Sequence, residues 1–214
     1  DFPGENDFRG QIVHPQHWPE DLDYVGKKVV VIGSGATAIT LVPTMAEQAA
    51  HVTMLQRSPT YLMPLPSTDK VSLALQKILP ERTAYRLTRA RNISISRFLY
   101  LRSRRSPKFM RRLFLGIIKR KVGDTADMRH FTPDYNPWDQ RLCVVPDGDL
   151  FKTLRDGSAR VVTDTVDAFV PEGIRTGSGE VIEADAIVTA TGLRMLAGGG
   201  IDLTVDGAKV EFGT

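Results

Sequence analysis

Residues 29–38, Val-Val-Val-Ile-Gly-Ser-Gly-Ala-Thr-Ala, constrain the fold of this chain more than any other stretch. The β-branched run at 29–32 predicts a strand buried on both faces, as in a parallel sheet. The G-x-G-x-x-A that closes the stretch opens a helical pattern, and each small residue in it has a physical task. Gly33 permits the tight turn, Gly35 lets a pyrophosphate approach the backbone, and Ala38 keeps the helix close to the strand. Ser34, Ala36 and Thr37 complete the turn, where free N–H groups and partial positive charge face the phosphates. A glycine pair alone is weak evidence. Set between a strand and a helix, it predicts a dinucleotide site, against the plainer reading of a glycine-rich βα turn.

Which dinucleotide is decided some twenty residues on. Residues 51–56, His-Val-Thr-Met-Leu-Gln, predict the second strand. An NAD-binding unit places Asp or Glu at its end, on the ribose 2′-OH. Here no acid occurs between Glu47 and Asp69, and the strand end reads Gln56-Arg57-Ser58. Arg57 can pair with a 2′-phosphate and Ser58 can donate to it, which favours NADPH. One such charge-assisted contact contributes about 1.5–3 kcal/mol, enough to choose between cofactors. The bland alternative is a solvated arginine.

The rest of the pattern completes an α/β, Rossmann-like dinucleotide-binding domain. Residues 147–154 predict a short helix and 160–163 a third parallel strand. Short strands at 165–170, 173–176 and 181–183 predict a β-meander, and 186–190 another buried strand ending in Thr191-Gly192. Asp206-Gly207 predicts a hairpin turn. Pro43 falls inside the first helix and predicts a kink there.

Between the halves lies a basic helical insertion. Residues 82–121 hold fourteen Lys or Arg and no acid, so the remainder of this +3 chain carries a net −11. Leu, Ile and Phe recur through it at helical spacing, and Pro107 separates two expected helices, apolar on one face and basic on the other. A solvated basic face, a surface that meets anionic membrane headgroups, and docking against an acidic partner all fit this pattern. Nucleic-acid binding is not expected, because no stacking platform or reader motif accompanies the charge.

A single cysteine, Cys143, excludes a disulfide framework and any Cys-x-x-Cys redox or zinc site, so no metal is expected. A reducing, cytoplasmic setting fits, with peripheral membrane attachment through residues 82–121 as the variant. No apolar run approaches the roughly 20 residues needed to span a bilayer.

Ahead of the glycine motif stands F-x-G-x-x-x-H-x-x-x-W-P, running from Phe8 through Gly10, His14 and Trp18 to Pro19. This pairing resembles the fingerprint of the Baeyer–Villiger monooxygenases, class B flavoproteins that use FAD, NADPH and O2. The likeness extends over essentially the whole chain. It implies that residues 1–24 are an interdomain linker, 25–66 and 141–192 two parts of an NADPH-binding domain, 67–140 the helical insertion, and 193–214 a return linker toward an FAD domain. Only one of the family's two glycine-rich units is present, so the resemblance implies a segment of a longer enzyme that does not turn over substrate by itself. It further implies that Gly33, Ser34, Gly35, Ala36, Thr37, Ala38, Arg57 and Ser58 hold NADPH. Arg141 falls at the family's active-site arginine, beside nicotinamide and flavin. Gln140 stands where better-known members often carry a lysine for the 2′-phosphate, which leaves Arg57 with more of that task. His14 and Trp18 pin the linker, transmit the relative placement of two domains, or act directly in catalysis. The implied substrates are ketones or sulfur compounds. An N-/S-oxidising flavin monooxygenase and a non-catalytic NADPH-binding or membrane-docking module are the rival readings.

Overall fold

The computed structural model describes residues 2–193, 199 and 201–210. Its centre is a fully parallel sheet of five strands in the order β1-β10-β2-β3-β6: β1 (Gln11–Val13), β2 (Lys28–Ile32), β3 (His51–Gln56), β6 (Ala159–Thr163) and β10 (Ala186–Thr189). From β2 the chain winds outward through β3 to β6, then returns to the other side of β2 at β10. The direction of winding therefore reverses between β2 and β10, where open parallel sheets bind ligands.

Alternation along β2 shows why the β-branched run is needed. Val29 and Val31 face one core with Ile39, Val42 and Met45 of helix α1 (Ala36–Ala46) and with Leu150 and Phe151 of α5 (Asp149–Asp156). Val30 and Ile32 face a second core under the meander β7 (Val166–Val170), β8 (Gly173–Thr176) and β9 (Val181–Glu183), through Phe169, Ile174 and Ile182. All four residues of the run are at most 6% exposed. Pro43 is buried within α1, which continues past it to Ala46 as one element.

Three features depart from the expectations. Residues 11–13 of the N-terminal linker form the edge strand β1, paired with β10, and only Val13 of the three is buried. The segment around Pro64 does not simply leave the core. It forms β4 (Tyr61–Leu65), which pairs in parallel with β5 (Leu142–Pro146), Tyr61 opposite Leu142. The insertion has three helices: α2 (Lys70–Ile78), α3 (Glu81–Arg105) and α4 (Pro107–Val122), and Pro107 occupies the first turn of α4 as its fixed φ favours. The Asp69 carboxylate caps α2 by accepting from the N–H groups of Val71 and Ser72. Helix α4 buries Met110, Phe114, Ile118 and Val122, whereas α3 buries only Ala84 and Ser103.

The expected hairpin is present as β11 (Leu203–Val205) and β12 (Ala208–Val210), joined by Asp206-Gly207. The remainder of the proposed return linker, residues 194–198, 200 and 211–214, lies outside the described residues. Among the described residues no helix is long and apolar enough to cross a membrane, and no cluster of His, Cys, Asp and Glu could hold a metal ion.

Candidate dinucleotide cleft

The two glycines of the turn meet different demands. Gly33 sits at φ +130°, and a Cβ there would lie 2.4 Å from the Ala190 carbonyl oxygen. Its N–H donates to the Leu55 carbonyl at 2.8 Å, so the chain passes between the ends of β3 and β10 with no room for a side chain. Gly35 has ordinary backbone angles, and a Cβ on it would enter open space. That space lies over the first turn of α1, whose N-terminus no side chain caps. Its first N–H groups are available to an anion, with the helix dipole behind them. Ala36 and Thr37 are exposed on this turn, while Ala38 is fully buried beneath it against the sheet. Ser34 is nearly buried, its hydroxyl donating to the Ser58 carbonyl at 3.5 Å.

Above the turn opens a cleft of about 610 Å³. Gly33 to Thr37, Arg57 and Ser58, Arg141, Asp164 to Val166, and Ala190 to Gly192 line it, with Phe2 at one side. Apart from Phe2 and Arg141, these residues lie at or beyond the C-terminal ends of parallel strands. Phe2 stacks on Phe169 with ring centroids 5.2 Å apart, which fastens the N-terminal segment to the meander. The register of β4 against β5 explains how Arg57 and Arg141, far apart in sequence, reach one cleft: Arg57 lies just before β4 and Arg141 just before β5. Neither guanidinium has an acidic partner among the described residues. The one carboxylate in the lining, Asp164, accepts from the backbone N–H groups of Thr165 and Ser178, and hydrogen bonds led by Ser178 hold its pKa at about 2. Gln140 is exposed beside Arg141 and is not part of the lining.

A clamp that the sequence does not reveal fixes the Arg141 backbone. The Tyr135 hydroxyl donates to the Arg141 carbonyl at 3.0 Å and accepts from Thr60 at 3.2 Å. The buried Tyr61 hydroxyl donates to the Tyr135 carbonyl at 2.8 Å and accepts from Arg111 of α4 at 3.0 Å. The insertion thus braces the rim of the cleft. Cys143, next to this rim, has its thiol pKa pushed up by burial, against the opposing pull of Arg141. Beyond Arg57, Gln56 donates to the His130 carbonyl at 2.7 Å and to the Thr163 hydroxyl, which also meets His130 Nδ1. Burial first, and the Arg129 charge second, lower the His130 pKa.

His14 Nε2 donates to the Gly192 carbonyl at 3.0 Å, and its Nδ1 accepts from the Gln16 N–H. The segment entering the domain is therefore tied to the loop that leaves β10. Trp18 is partly exposed and not in the cleft lining.

The sequence profile described as flavin-binding monooxygenase-like matches residues 1–121. MymA of Mycobacterium tuberculosis, described as an FAD-containing monooxygenase, is 60% identical over 99% of this chain and 44% of its own length. AlmA of Acinetobacter baylyi, described as FAD-binding, is 57% identical over 99% of the chain and 43% of its own. EthA of Mycolicibacterium smegmatis is 53% identical over 99% and 44%. The chain thus spans less than half the length of these curated relatives. Among solved structures, a steroid monooxygenase bound to NADP shares the fold with a TM-score of 0.69 at 24% identity, over 93% of this chain and 44% of that one. OTEMO in complex with FAD and NADP does so with a TM-score of 0.68 at 22% identity, over 90% and 44%. The chain belongs to the flavin-binding monooxygenase-like family, among the class B flavin monooxygenases.

Proposed function

We propose that these 214 residues are the NADPH-binding part of an FAD-dependent monooxygenase of Baeyer–Villiger type, acting on ketones or sulfur compounds. The observation that carries the cofactor choice is Arg57 at the end of β3, with no acidic partner among the described residues, where an NAD-binding unit has a carboxylate. The space over Gly35 and the uncapped start of α1 accept the pyrophosphate, and the cleft runs from Arg57 and Ser58 past this turn to Arg141 and Gly192. Arg57 and Ser58 bind the 2′-phosphate. Gln140 offers only a neutral amide from outside the lining, so selectivity rests mainly on Arg57.

When bound, NADPH supplies the hydride that reduces a flavin, and the flavin supplies the oxygen chemistry. The protein's own part is positional and electrostatic. The N–H groups of α1 orient the phosphates, and Arg141, its backbone held by Tyr135, places a fixed positive charge on the rim to stabilise developing negative charge. His14 and the Gly192 carbonyl hold together the two connections toward an FAD domain. On this reading the 214 residues bind nucleotide and do not turn over substrate by themselves.

Calorimetric titration with NADPH and NADH tests the reading. NADPH is expected to bind at least about tenfold more tightly, and Arg57→Ala to remove most of that preference. Equal affinities in the unsubstituted chain would contradict it.

A further inference from the structure

Helix α3 is 25 residues long and packs on α2 and α4 along one side only: just Ala84, near its start, and Ser103, near its end, are buried, with Leu99 resting partly buried on the Tyr61, Met110 and Phe114 cluster. At 100° per residue, Leu87, Ala90, Ser94, Phe98 and Leu101 fall on one stripe. The large members of that stripe are exposed, Leu87 by 49%, Phe98 by 65% and Leu101 by 51%. Beside it runs a second stripe along Arg82, Arg86, Arg89, Arg97 and Arg104, about 33 Å from end to end. Arg104 pairs with Asp139. Arg82, Arg86, Arg89 and Arg97 are exposed, with no acidic partner among the described residues. On the other flank of the apolar stripe, Arg91 pairs with Asp69, and Arg102 lies over the Phe109 ring.

We propose that this face of α3 docks on an anionic lipid surface. Three observations favour lipid over a protein partner. The apolar stripe is bordered along one flank by exposed arginines with no acidic partner among the described residues, which lets an interfacial helix send guanidinium groups to the headgroups while its hydrocarbon enters the acyl boundary. All the charge of residues 82–121 has one sign, which matches a uniformly anionic plane and not the mixed charges of a protein groove. The net −11 of the remaining chain adds a preferred orientation, with the basic insertion toward an anionic surface and the acidic remainder away from it. The inference is independent of the nucleotide cleft.

The test is co-sedimentation of the 214-residue chain with phosphatidylcholine vesicles, with and without phosphatidylglycerol, across a salt series. Binding is expected only to the anionic vesicles and weakens as salt rises. Removing Arg82, Arg86, Arg89 and Arg97 together (R82Q, R86Q, R89Q, R97Q) is expected to weaken it by about fivefold per arginine. Replacing the apolar stripe (L87S, F98S, L101S) is expected to leave only attachment that moderate salt abolishes. Every substituted side chain is exposed, and circular dichroism with thermal melting checks that each variant is folded. Equal binding to neutral vesicles, no binding to either kind, or binding unaffected by loss of the four arginines would overturn the proposal. So would self-association of the chain that the serine variant abolishes, which would assign the face to a protein contact.

Discussion

The β2 strand and helix α3 are both rich in large apolar residues, and the fold uses them in opposite ways. Val29 to Ile32 are enclosed on both faces, at most 6% exposed. Leu87, Phe98 and Leu101 of α3 are 49–65% exposed. The difference lies in what accompanies them. In β2 no charge interrupts the run, so burial on two faces leaves no polar side chain to satisfy. In α3 eight arginines are spread among the apolar residues, and the helix cannot be enclosed without desolvating several that have no acidic partner among the described residues. The sheet half is a core, and α3 presents a surface.

The largest effect expected from this contrast is on stability. Phe151, 1% exposed against the sheet, is expected to lose about 3–5 kcal/mol on change to Ala in urea denaturation. Phe98→Ala should change stability by no more than about 0.5 kcal/mol. A large loss at Phe98 would break the comparison by showing that α3 is packed.

A sharper contrast lies within the turn. Gly33→Ala is expected to destabilise by about 1–3 kcal/mol through its backbone angle alone, with the clash at Ala190 adding to that. Gly35→Ala should leave stability within about 0.5 kcal/mol and weaken nucleotide binding about tenfold, since its new methyl enters the space assigned to phosphate. Parallel losses of stability in the two variants would remove the distinction between a structural and a ligand-facing glycine.

Smallest is the effect of pH. The folded His130 pKa lies below the unfolded 6.5, so the stability it contributes is full above pH 6.5 and is lost as pH falls through the lowered value. Asp164, also lowered, contributes fully above pH 3.8 and loses that contribution as pH falls through about 2. His130→Gln should flatten the upper of these two slopes in a thermal-melting series and leave the lower one in place.

Legibility in the sequence follows the same division. β2 and β10 are readable because strands buried on two faces need apolar runs, β3 because of its place after the first helix, and the glycine turn because each small residue answers to a separate demand. β1 leaves no signal: three residues with only Val13 buried carry no period. β4 was hidden by Pro64, which breaks the usual strand pattern but is tolerated in a short two-stranded pair. The gathering of Arg57 with Arg141 follows from the β4–β5 register, and the Tyr135 clamp joins groups up to 75 residues apart, so neither leaves a local signal. The helical spacing in residues 82–121 showed that helices form there, but not that α3 leaves its apolar side chains uncovered.

The most direct measurement of the central claim is an amide NMR titration of the chain with 2′,5′-ADP. The account predicts that the amide signals of Gly35, Ala36, Thr37 and Ser58 move, together with the Arg57 side-chain signal, while those of α3 stay in place. Shifts confined to the arginines of the insertion, or an undisturbed Gly35–Thr37 turn at saturating ligand, would contradict it.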